Sequence, residues 1–263
     1  MQNNNQFAAV SLSGGKDSTA MLLLMIERDM PIDVVLNADT GMEFPEIYEH
    51  LQKVDDHLYR ERGIHITTLR HPKGFEYLMF EEPKQKASCL ANREKMGILP
   101  YGNGWPGIRV RWCTGQLKTH LIAKEVNRLK GEHHALNYVG IAADEAGRCK
   151  KEQYPLVEWG ITEAQALQIC YDRGFDFGGL YHIYNRASCW CCPFQRIGEL
   201  RKLRKHHPEL WQRLMEMDDR ARAQFGSGPL GQFRSNYSVQ DLEERFATED
   251  AQIPLIPADQ IEI

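Results

Sequence analysis

The chain of 263 residues is 42% hydrophobic and 26% charged, proportions typical of globular proteins with a packed core. Its formal net charge of −4 argues against nucleic-acid binding by the surface as a whole, although it leaves room for a local basic groove. The sequence contains no run of about 20 apolar residues, and its first residues lack the cationic and apolar parts of a signal peptide. We therefore expect a cytoplasmic protein that does not enter a membrane.

The first informative motif spans residues 11–19 and reads Ser-Leu-Ser-Gly-Gly-Lys-Asp-Ser-Thr. A short apolar run at 7–10 precedes it, and the apolar residues after it predict a buried helix over about 18–28. A glycine turn between a strand and a helix N-terminus binds phosphate, because backbone N–H groups and the helix dipole favour an anion there. The motif is not a Walker A loop, since Asp17 follows Lys16 where that motif has Ser or Thr. An ordinary serine-capped turn is the alternative, and the complete string favours the phosphate site.

The next elements in the chain alternate between strand and helix. Residues 32–38 predict a buried strand, residues 45–58 a helix with one apolar face, and residues 64–69 a third strand. This alternation predicts a parallel sheet with helices on both faces. Ligands of such sheets bind beyond the carboxyl ends of the strands, where Asp39 and Thr40 follow the second strand. Asp39 either opens a turn there, or it accepts a hydrogen bond from a nucleotide or helps to hold Mg²⁺.

The alternation stops at about residues 70–110, which are rich in glycine and proline. A long irregular segment of this kind predicts a loop insertion that covers the site. The pattern resumes with an amphipathic helix over 115–130, for which Thr114 is the expected cap, and with a fourth strand over 135–141.

The C-terminal part of the chain is predicted to be mostly helical. One helix is capped by Thr162, and a longer one spans 195–214 with several cations. Those cations form either a solvated face or a docking surface for RNA, DNA or another anionic substrate. We predict two regions, an α/β domain over 1–155 that contains the insertion, and a mostly helical region over 156–263.

Seven cysteines in a protein expected to be cytoplasmic need an explanation other than structural disulfides. Cys189, Cys191 and Cys192 lie within four residues, and the first and last of them form a Cys-x-x-Cys knuckle that can direct two thiolates at one metal. A tetrahedral metal needs more ligands, so we expect Cys113 to join from a helix start, with Cys191 or Cys149 as the fourth. Iron, zinc and a redox disulfide each compensate thiolates held so close together.

Four segments of the sequence resemble the ATP pyrophosphatases and their relatives, the phosphoadenylylsulfate (PAPS) reductases. Residues 13–18 look like the pyrophosphate loop (PP-loop) of that group, and residues 111–118 resemble its Arg-x-Cys-x-x-x-Leu-Lys segment. Residues 140–148 are similar to its Gly-Ile/Val-x-x-x-Glu-x-x-Arg segment, and residues 189–193 to the Cys-x-x-Cys-Pro of its iron–sulfur members. The resemblance implies an α/β fold with a doubly wound, mostly parallel sheet of the adenine nucleotide alpha-hydrolase-like (HUP) type. A smaller helical C-terminal region would carry the cysteine cluster.

The resemblance also implies roles for individual residues. Lys16, Asp17 and Arg148 are the expected catalytic residues, and Arg148 suits a bidentate clamp on phosphate. The expected nucleotide-binding residues are Ser11, Ser13, Gly14, Gly15, Lys16, Asp17, Ser18, Thr19, Asp39, Thr40, Arg111, Lys118 and Arg148. Lys118 taken alone is equally well explained as a solvated charge.

The cofactors that the resemblance implies are Mg²⁺ bound with ATP and a four-iron–four-sulfur (4Fe-4S) cluster. Cys113, Cys189 and Cys192 would hold the cluster, with Cys191 or Cys149 as a fourth ligand or with one iron left open. Zinc is the alternative metal, because zinc and iron both accept all-thiolate sites. Asp144 and Glu145 would orient Arg148 or hold metal.

The function implied by the resemblance is an ATP-dependent adenylating sulfurtransferase. An acceptor oxygen would attack the α-phosphorus of ATP with release of pyrophosphate, and sulfur delivered through the cluster would displace AMP. The expected partners are an acceptor substrate, with nucleic acid as one candidate, and a sulfur donor protein or sulfide, while a homodimer stays open.

Two other functions are alternatives. The first is a sulfonucleotide reductase acting on PAPS or adenylylsulfate, but such reductases have a catalytic cysteine near the C-terminus and no cysteine follows Cys192 here. The second is a nucleotide-sensing subunit that binds ATP without turnover.

Overall fold

The structure is a computed structural model that describes residues 6–108, 110–187, 189–234 and 236–252. Its strands are β1 (Gln6–Ser11), β2 (Val34–Asp39), β3 (Ile66–Arg70) and β4 (His134–Val139). Its α-helices are α1 (Lys16–Glu27), α2 (Pro45–Arg62), α3 (Gly74–Phe80), α4 (Ala87–Lys95), α5 (Trp112–Thr114), α6 (His120–Leu129), α7 (Pro155–Glu158), α8 (Glu163–Asp172), α9 (Leu180–Ile183), α10 (Ile197–His206), α11 (Pro208–Phe225) and α12 (Val239–Gln252). A π-helical turn spans Gly115–Thr119, and 3₁₀ turns span Ala143–Arg148 and Phe177–Gly179.

The four strands form one parallel sheet in the order β3–β2–β1–β4. Val10 of the central strand β1 lies opposite Val35 of β2 on one side and Tyr138 of β4 on the other. The chain builds the sheet outward from β1 to β3 and then returns to add β4 on the far side of β1. The strand order therefore reverses between β1 and β4. This parallel sheet with flanking helices confirms the predicted α/β, HUP-type fold.

The chain divides into two compact units. Unit 1 comprises Met1–Glu76 and Arg111–Cys192 and contains the whole sheet, and unit 2 comprises Tyr77–Val110 and Pro193–Ile263. The boundary predicted between residues 155 and 156 lies inside unit 1. The insertion predicted at about 70–110 overlaps the first segment of unit 2.

In unit 1, α1 is buried along most of its length, and it packs against α8. α8 begins with a complete capping box, in which the Thr162 side chain accepts a hydrogen bond from the backbone of Gln165 and the Gln165 side chain accepts one from the backbone of Thr162. This confirms Thr162 as the cap. It also fixes the start of α8, and so places Glu163 next to the first turn of α1.

In unit 2, the single helix predicted over 195–214 is wrong. α10 ends at His206 and α11 begins at Pro208, with His207 in a non-helical conformation between them. Proline suits the first turn of a helix but prevents the residue before it from continuing one, so the chain breaks at this point.

Three of the six Lys and Arg residues in the predicted 195–214 segment form ion pairs within unit 2. Arg201 pairs with Glu249 and Asp250, Arg204 pairs with Glu243 and Asp250, and Lys202 pairs with Glu199. These acidic partners lie on α12 and α10, so much of the positive charge of the helix is neutralised locally. Among the described helices, none combines the length and the apolar character that crossing a membrane requires.

Candidate functional site

The first site in unit 1 surrounds a cavity of about 130 Å³ at the carboxyl ends of β1 and β4. We call it the PP-loop cavity. It is lined by Ser13, Gly15, Lys16, Asp17, Ser18, Gly140, Arg148, Tyr181, Arg186 and Ala187. It lies where the strand order reverses, which is where ligands of doubly wound α/β proteins bind.

The loop between β1 and α1 is held in shape by its own polar groups. The Ser18 hydroxyl oxygen accepts a hydrogen bond from the backbone N–H of Ser13 at 3.1 Å and donates to the carbonyl of Gly15 at 3.0 Å. Gly14 has a φ of +79°, and a Cβ there would lie 2.9 Å from the side chain of Ile47. Only glycine fits this turn without strain, because L-residues with a side chain rarely adopt that conformation.

Gly140, just after β4, forms the opposite side of the cavity. A Cβ at this position would lie 2.5 Å from Cα and 2.6 Å from the backbone nitrogen of Ser18. The end of β4 therefore touches the first turn of α1 backbone to backbone. This close approach brings the Ala143–Arg148 turn, with Arg148, beside the loop.

Lys16 is a buried cation in this cavity, with only 6% of its surface exposed. Its Nζ lies 2.8 Å from Glu163 Oε2 and 3.3 Å from Asp17 Oδ1, and its backbone N–H donates to the hydroxyl of Tyr181 at 2.9 Å. Burial raises the pKa of the Asp17 carboxyl, and the nearby Lys16 ammonium opposes that shift. A second cation would therefore stabilise the charged form of Asp17.

Three carboxylates meet beside Lys16. Asp17, Glu145 and Glu163 each offer an oxygen atom within 4.8 Å of the others. Oδ1 of Asp17 is buried and has no hydrogen-bond partner among the described residues, although the Lys16 ammonium lies 3.3 Å from it. Carboxylate oxygens are the ligands that Mg²⁺ prefers, so these residues fit a magnesium ion that also binds substrate phosphates.

Glu163 is the residue of this group that the sequence did not indicate as functional. Its backbone N–H donates to Oδ1 of Asp144 at 3.0 Å, which ties the start of α8 to the turn after β4. Glu145 forms an ion pair with Arg148. Glu145 therefore lies where it could orient Arg148 or hold metal, and the role expected of Asp144 toward either stays a prediction.

Several residues expected to bind nucleotide lie outside the PP-loop cavity. Ser11 donates its hydroxyl to Oδ1 of Asn137 at 2.9 Å, and Thr19 shares a hydrogen bond of 3.0 Å with Nε2 of His50. Arg111 is exposed and directly precedes α5. Ser11 and Thr19 support the framework around the loop, and the roles of all three residues toward a nucleotide stay predictions.

Asp39 and Thr40 lie at the carboxyl end of β2, next to the end of β1. Oδ1 of Asp39 accepts hydrogen bonds from the backbone of Gly41 at 2.7 Å and from the hydroxyl of Tyr48 at 2.9 Å, and its other oxygen binds Arg70. The Thr40 hydroxyl donates to Glu43 at 2.8 Å. Asp39 thus holds the turn after β2, and its expected role toward a nucleotide or Mg²⁺ stays a prediction.

The second site in unit 1 gathers cysteine thiols at this end of β2, and we call it the thiol site. The Sγ atom of Cys189 lies 3.8 Å from Thr40 Oγ1, 3.8 Å from Lys118 Nζ and 3.6 Å from Glu43 Oε1. Lys118 and Glu43 are themselves paired at 3.3 Å. The structure therefore places Lys118 against a cysteine and outside the described lining of the PP-loop cavity.

A π-helical turn produces this position of Lys118. The helix expected to start at Gly115 behind a Thr114 cap starts instead at Trp112, and Thr114 is inside it with helical backbone angles. That prediction is wrong. Cys113 therefore lies in the first turn of the helix, and Lys118 lies in the π-helical turn.

Burial governs the chemistry of these thiols. It raises the pKa of Cys189 to about 12, although the Lys118 ammonium acts in the opposite direction. It also raises the pKa of Cys191 well above its ordinary value, and the negative charges of Cys189, Cys192, Glu43 and Cys113 add to that shift. The four thiols are therefore close enough to interact, and they need a bound cation to become thiolates together. Cys149 instead contributes to the pKa shift of Tyr154 and is not among the main groups that shift the pKa of Cys189 or Cys191, which favours Cys191 over Cys149 as a fourth ligand.

The described thiols do not decide between the two metals. Within the described part of the chain, no three cysteine sulfurs lie within 4.8 Å of one another. The donor set is soft, and thiolates hold both zinc and iron–sulfur clusters, so the choice between them stays a prediction.

The chain segment 186–192 connects the two sites. A Cβ added to Gly15 would lie 3.9 Å from the carbonyl oxygen of Ala187, and both residues line the PP-loop cavity. Cys189 follows two residues later against Thr40, and the backbone of Trp190 donates to the carbonyl of Met42 at 3.0 Å. The PP-loop cavity and the thiol site therefore lie at the carboxyl ends of neighbouring strands of one sheet.

Comparison with known proteins identifies relatives over most of the chain. "Uncharacterized protein MJ0066" of Methanocaldococcus jannaschii is 26% identical over 78% of this chain and 40% of its own length. "Uncharacterized protein MJ0973" of the same organism is 21% identical over 82% of this chain and 48% of its own length. The "Uncharacterized 37.8 kDa protein in gpa 5'region" of Escherichia phage 186 is 23% identical over 90% of this chain and 81% of its own length. The chain thus spans less than half the length of the two archaeal relatives.

The Phosphoadenosine phosphosulfate reductase domain family matches residues 8–90. The matched part contains most of β1, the PP-loop and α1, as well as the end of β2 against which Cys189 packs. It covers 83 of the 263 residues, so this part of the chain is similar to the PAPS reductase domain.

Proposed function

We propose that the protein is an enzyme that adenylates an acceptor with ATP and then replaces the adenylate with sulfur. The observation that supports this proposal most strongly is the position of the thiol site beside the PP-loop cavity. The two sites are joined by residues 187–192 at the ends of β1 and β2. A sulfur species held by the thiols and a phosphorus activated at the loop would then be close enough to act on one acceptor.

The size of the PP-loop cavity suits phosphate groups. Its volume of about 130 Å³ is well below the roughly 300–1,000 Å³ of sites that enclose a drug-sized ligand. The triphosphate would lie on residues 13–18, with Lys16, Arg148 and Arg186 on the cavity wall. The ribose and base would extend along the open edge of the sheet.

The first reaction step follows from these charges. An acceptor oxygen forms a bond to the α-phosphorus, the bond from that phosphorus to the bridging oxygen breaks, and pyrophosphate leaves with the electron pair. Lys16 and Arg148 stabilise the charge that develops on the phosphate oxygens. Asp17, Glu145 and Glu163 would hold the Mg²⁺ that binds the same phosphates.

In the second step a sulfur nucleophile forms a bond to the activated acceptor atom, and AMP leaves with the electron pair of the broken bond. Cys113, Cys189, Cys192 and Cys191 would hold the iron–sulfur cluster, which supplies a soft site for sulfur when bound. Lys118 stabilises negative charge on Cys189 through its contact of 3.8 Å, and Glu43 holds Lys118 in place.

Binding of ATP is the first test. Titration of the protein with a fluorescent ATP analogue and Mg²⁺ should give saturable binding. Lys16→Met should weaken that binding at least tenfold, because it removes a buried cation from the cavity wall. Lys124→Met is the matched control, since Lys124 is exposed on α6 and lies outside the described lining of the cavity. Equal affinities of the Lys16→Met protein and the wild-type protein would contradict the proposed nucleotide site.

The reaction class is tested with anaerobically reconstituted protein, ATP labelled at the α-phosphate, sulfide and total RNA. We expect AMP, which carries the label, and unlabelled pyrophosphate to form in equal amounts. Sulfite release from PAPS or adenylylsulfate with thioredoxin would identify a reductase and overturn the proposed transfer. ATP binding without AMP formation under any of these conditions would point to a nucleotide sensor.

A further inference from the structure

Unit 2 contains a second and larger cavity, of about 740 Å³, to which the proposed reaction assigns no role. We call it the unit 2 cavity. Its described walls include the aromatic residues Trp105, Phe194, Phe233 and Tyr237 and the cations Arg196 and Arg234. The volume lies within the roughly 300–1,000 Å³ of sites that enclose organic ligands.

The aromatic part of the wall is held rigidly. The rings of Trp105 and Phe233 meet edge to face with their centres 5.0 Å apart. The buried carboxylate of Asp218 accepts hydrogen bonds from Nε1 of Trp105 and from the backbone of Phe233, each at 2.8 Å. Both rings are only 2% exposed and form a rigid floor, so the half-buried rings of Phe194 and Tyr237 are the ones that can stack against a planar ligand.

The charge on the cavity wall has one sign. Among the described residues that line it there are two arginines and no aspartate or glutamate. The Arg234 guanidinium donates to the hydroxyl of Tyr237 at 3.2 Å, while its Nε is buried with no hydrogen-bond partner in the described structure. The wall also includes the side-chain amides of Gln195, Gln232 and Asn236, a group that pairs with the edges of nucleobases.

Apolar side chains extend the wall to the surface. Ile108 is 85% exposed and Val110 is 64% exposed, and both line the unit 2 cavity. By contrast, Arg201, Lys202 and Arg204 on α10 are paired with carboxylates of their own unit. The arginines of the unit 2 cavity are therefore better placed to attract an anionic ligand than the paired cations of α10, the helix that the sequence suggested as a docking surface.

We propose that the unit 2 cavity binds an unpaired base of an RNA strand, with the base among the aromatic rings and the flanking phosphates at Arg196 and Arg234. Stacking on aromatic rings and guanidinium planes, together with amide contacts to base edges, is how proteins recognise unpaired RNA bases. A cavity of this size admits a base that is already out of its helix. RNA loops present such bases, whereas duplex DNA must first be unstacked. The binding of RNA to this cavity is independent of the proposed function. Only the further idea that the bound RNA is the sulfur acceptor rests on it.

The test measures the fluorescence anisotropy of a labelled, unstructured ten-nucleotide RNA as the full-length protein is added. Arg196→Gln and Tyr237→Ala should each weaken binding at least fivefold, while Tyr237→Phe, which keeps the ring, should bind within twofold of the wild type. Lys205→Gln is the matched control, because Lys205 is an exposed cation on α10 outside the described cavity wall, and it should also bind within twofold. Because two phosphates are contacted, the slope of log K against log salt should be about −1.4.

Four results would overturn the proposal: no binding of the RNA, unchanged affinity in both Arg196→Gln and Tyr237→Ala, a salt slope steeper than about −4, or equal affinity for duplex DNA of the same sequence. A slope that steep would mean that a broad basic surface binds the strand. ATP binding is measured on the same samples. Loss of RNA binding with intact ATP binding would separate a failure of this site from a failure of the proposed nucleotide site.

Discussion

Replacement of Gly140 by alanine tests how the PP-loop is built. The new Cβ would lie 2.5 Å from Cα of Ser18 and 2.8 Å from the carbonyl carbon of Asp17, where carbon atoms normally stay about 3.5–4.0 Å apart. The backbone of the turn after β4 or of the first turn of α1 must therefore move by about 1 Å. α1 is buried along most of its length and cannot shift freely. Overpacking of this kind costs about 1–3 kcal/mol of unfolding free energy.

The movement should also displace Asp17 and Ser18 from their positions in the loop, so we expect at least tenfold weaker ATP binding. Gly147→Ala is the control, because a Cβ at Gly147 meets no atom within 4 Å. Urea denaturation and titration with a fluorescent ATP analogue are measured for both variants. If Gly140→Ala matched Gly147→Ala in stability and affinity, the close approach of β4 to α1 would not be what positions the loop.

Three further changes have defined expected results. Burial lowers the pKa of His50 from 6.5 to about 4, so the stability that its neutral form contributes is complete above pH 6.5 and is lost as the pH falls through 4. Urea titrations of the wild type should show a loss of up to about 3 kcal/mol of unfolding free energy over that range, and the loss should be smaller in His50→Gln. Parallel pH profiles of the two proteins would contradict this. Cys189→Ser should lower the iron content after anaerobic reconstitution by at least half, whereas Cys89→Ser, in unit 2, should leave it unchanged; equal iron in both would exclude Cys189 as a ligand. Thr162→Ala removes the cap of α8 and should cost about 1 kcal/mol in thermal unfolding, with an unchanged melting temperature as the contrary result.

The sequence predicted best those features that depend on neighbouring residues. The glycine turn after β1, the four strands and the helix cap at Thr162 each follow from a local pattern, and the structure contains each of them within a few residues of the expected bounds. The alternation of strand and helix predicted a parallel sheet, and parallel strands align their carboxyl ends. The sequence therefore also predicted that Asp39 and Thr40 lie at the sheet edge that carries the PP-loop.

Contacts between distant residues could not be predicted in this way. Glu163 pairs with Lys16 across 147 positions of the chain, and nothing near Glu163 in the sequence distinguishes it from any acidic residue at a helix start. Lys118 was expected at phosphate because of its motif. The π-helical turn changes the direction of side chains, since each added residue rotates the helix by about 100°, and Lys118 instead contacts Cys189 and Glu43.

The break between α10 and α11 had a signal in the sequence that the charge pattern obscured. Pro208 follows His207 in the middle of a stretch whose cations recur at helical spacing, and that spacing favoured one long helix. The pairing of Arg201 and Arg204 with residues of α12 depends on helix packing, so their neutralisation was not visible from the chain.

The most direct test of the relation between the two sites of unit 1 is a crystal structure of the anaerobically reconstituted protein with a non-hydrolysable ATP analogue. Diffraction data collected at the iron absorption edge would locate the iron. We expect an anomalous peak among Cys113, Cys189 and Cys192, and the phosphates of the analogue on residues 13–18. Iron bound elsewhere, or phosphates held away from Lys16, would contradict the proposal that one sheet edge brings sulfur chemistry to a bound nucleotide.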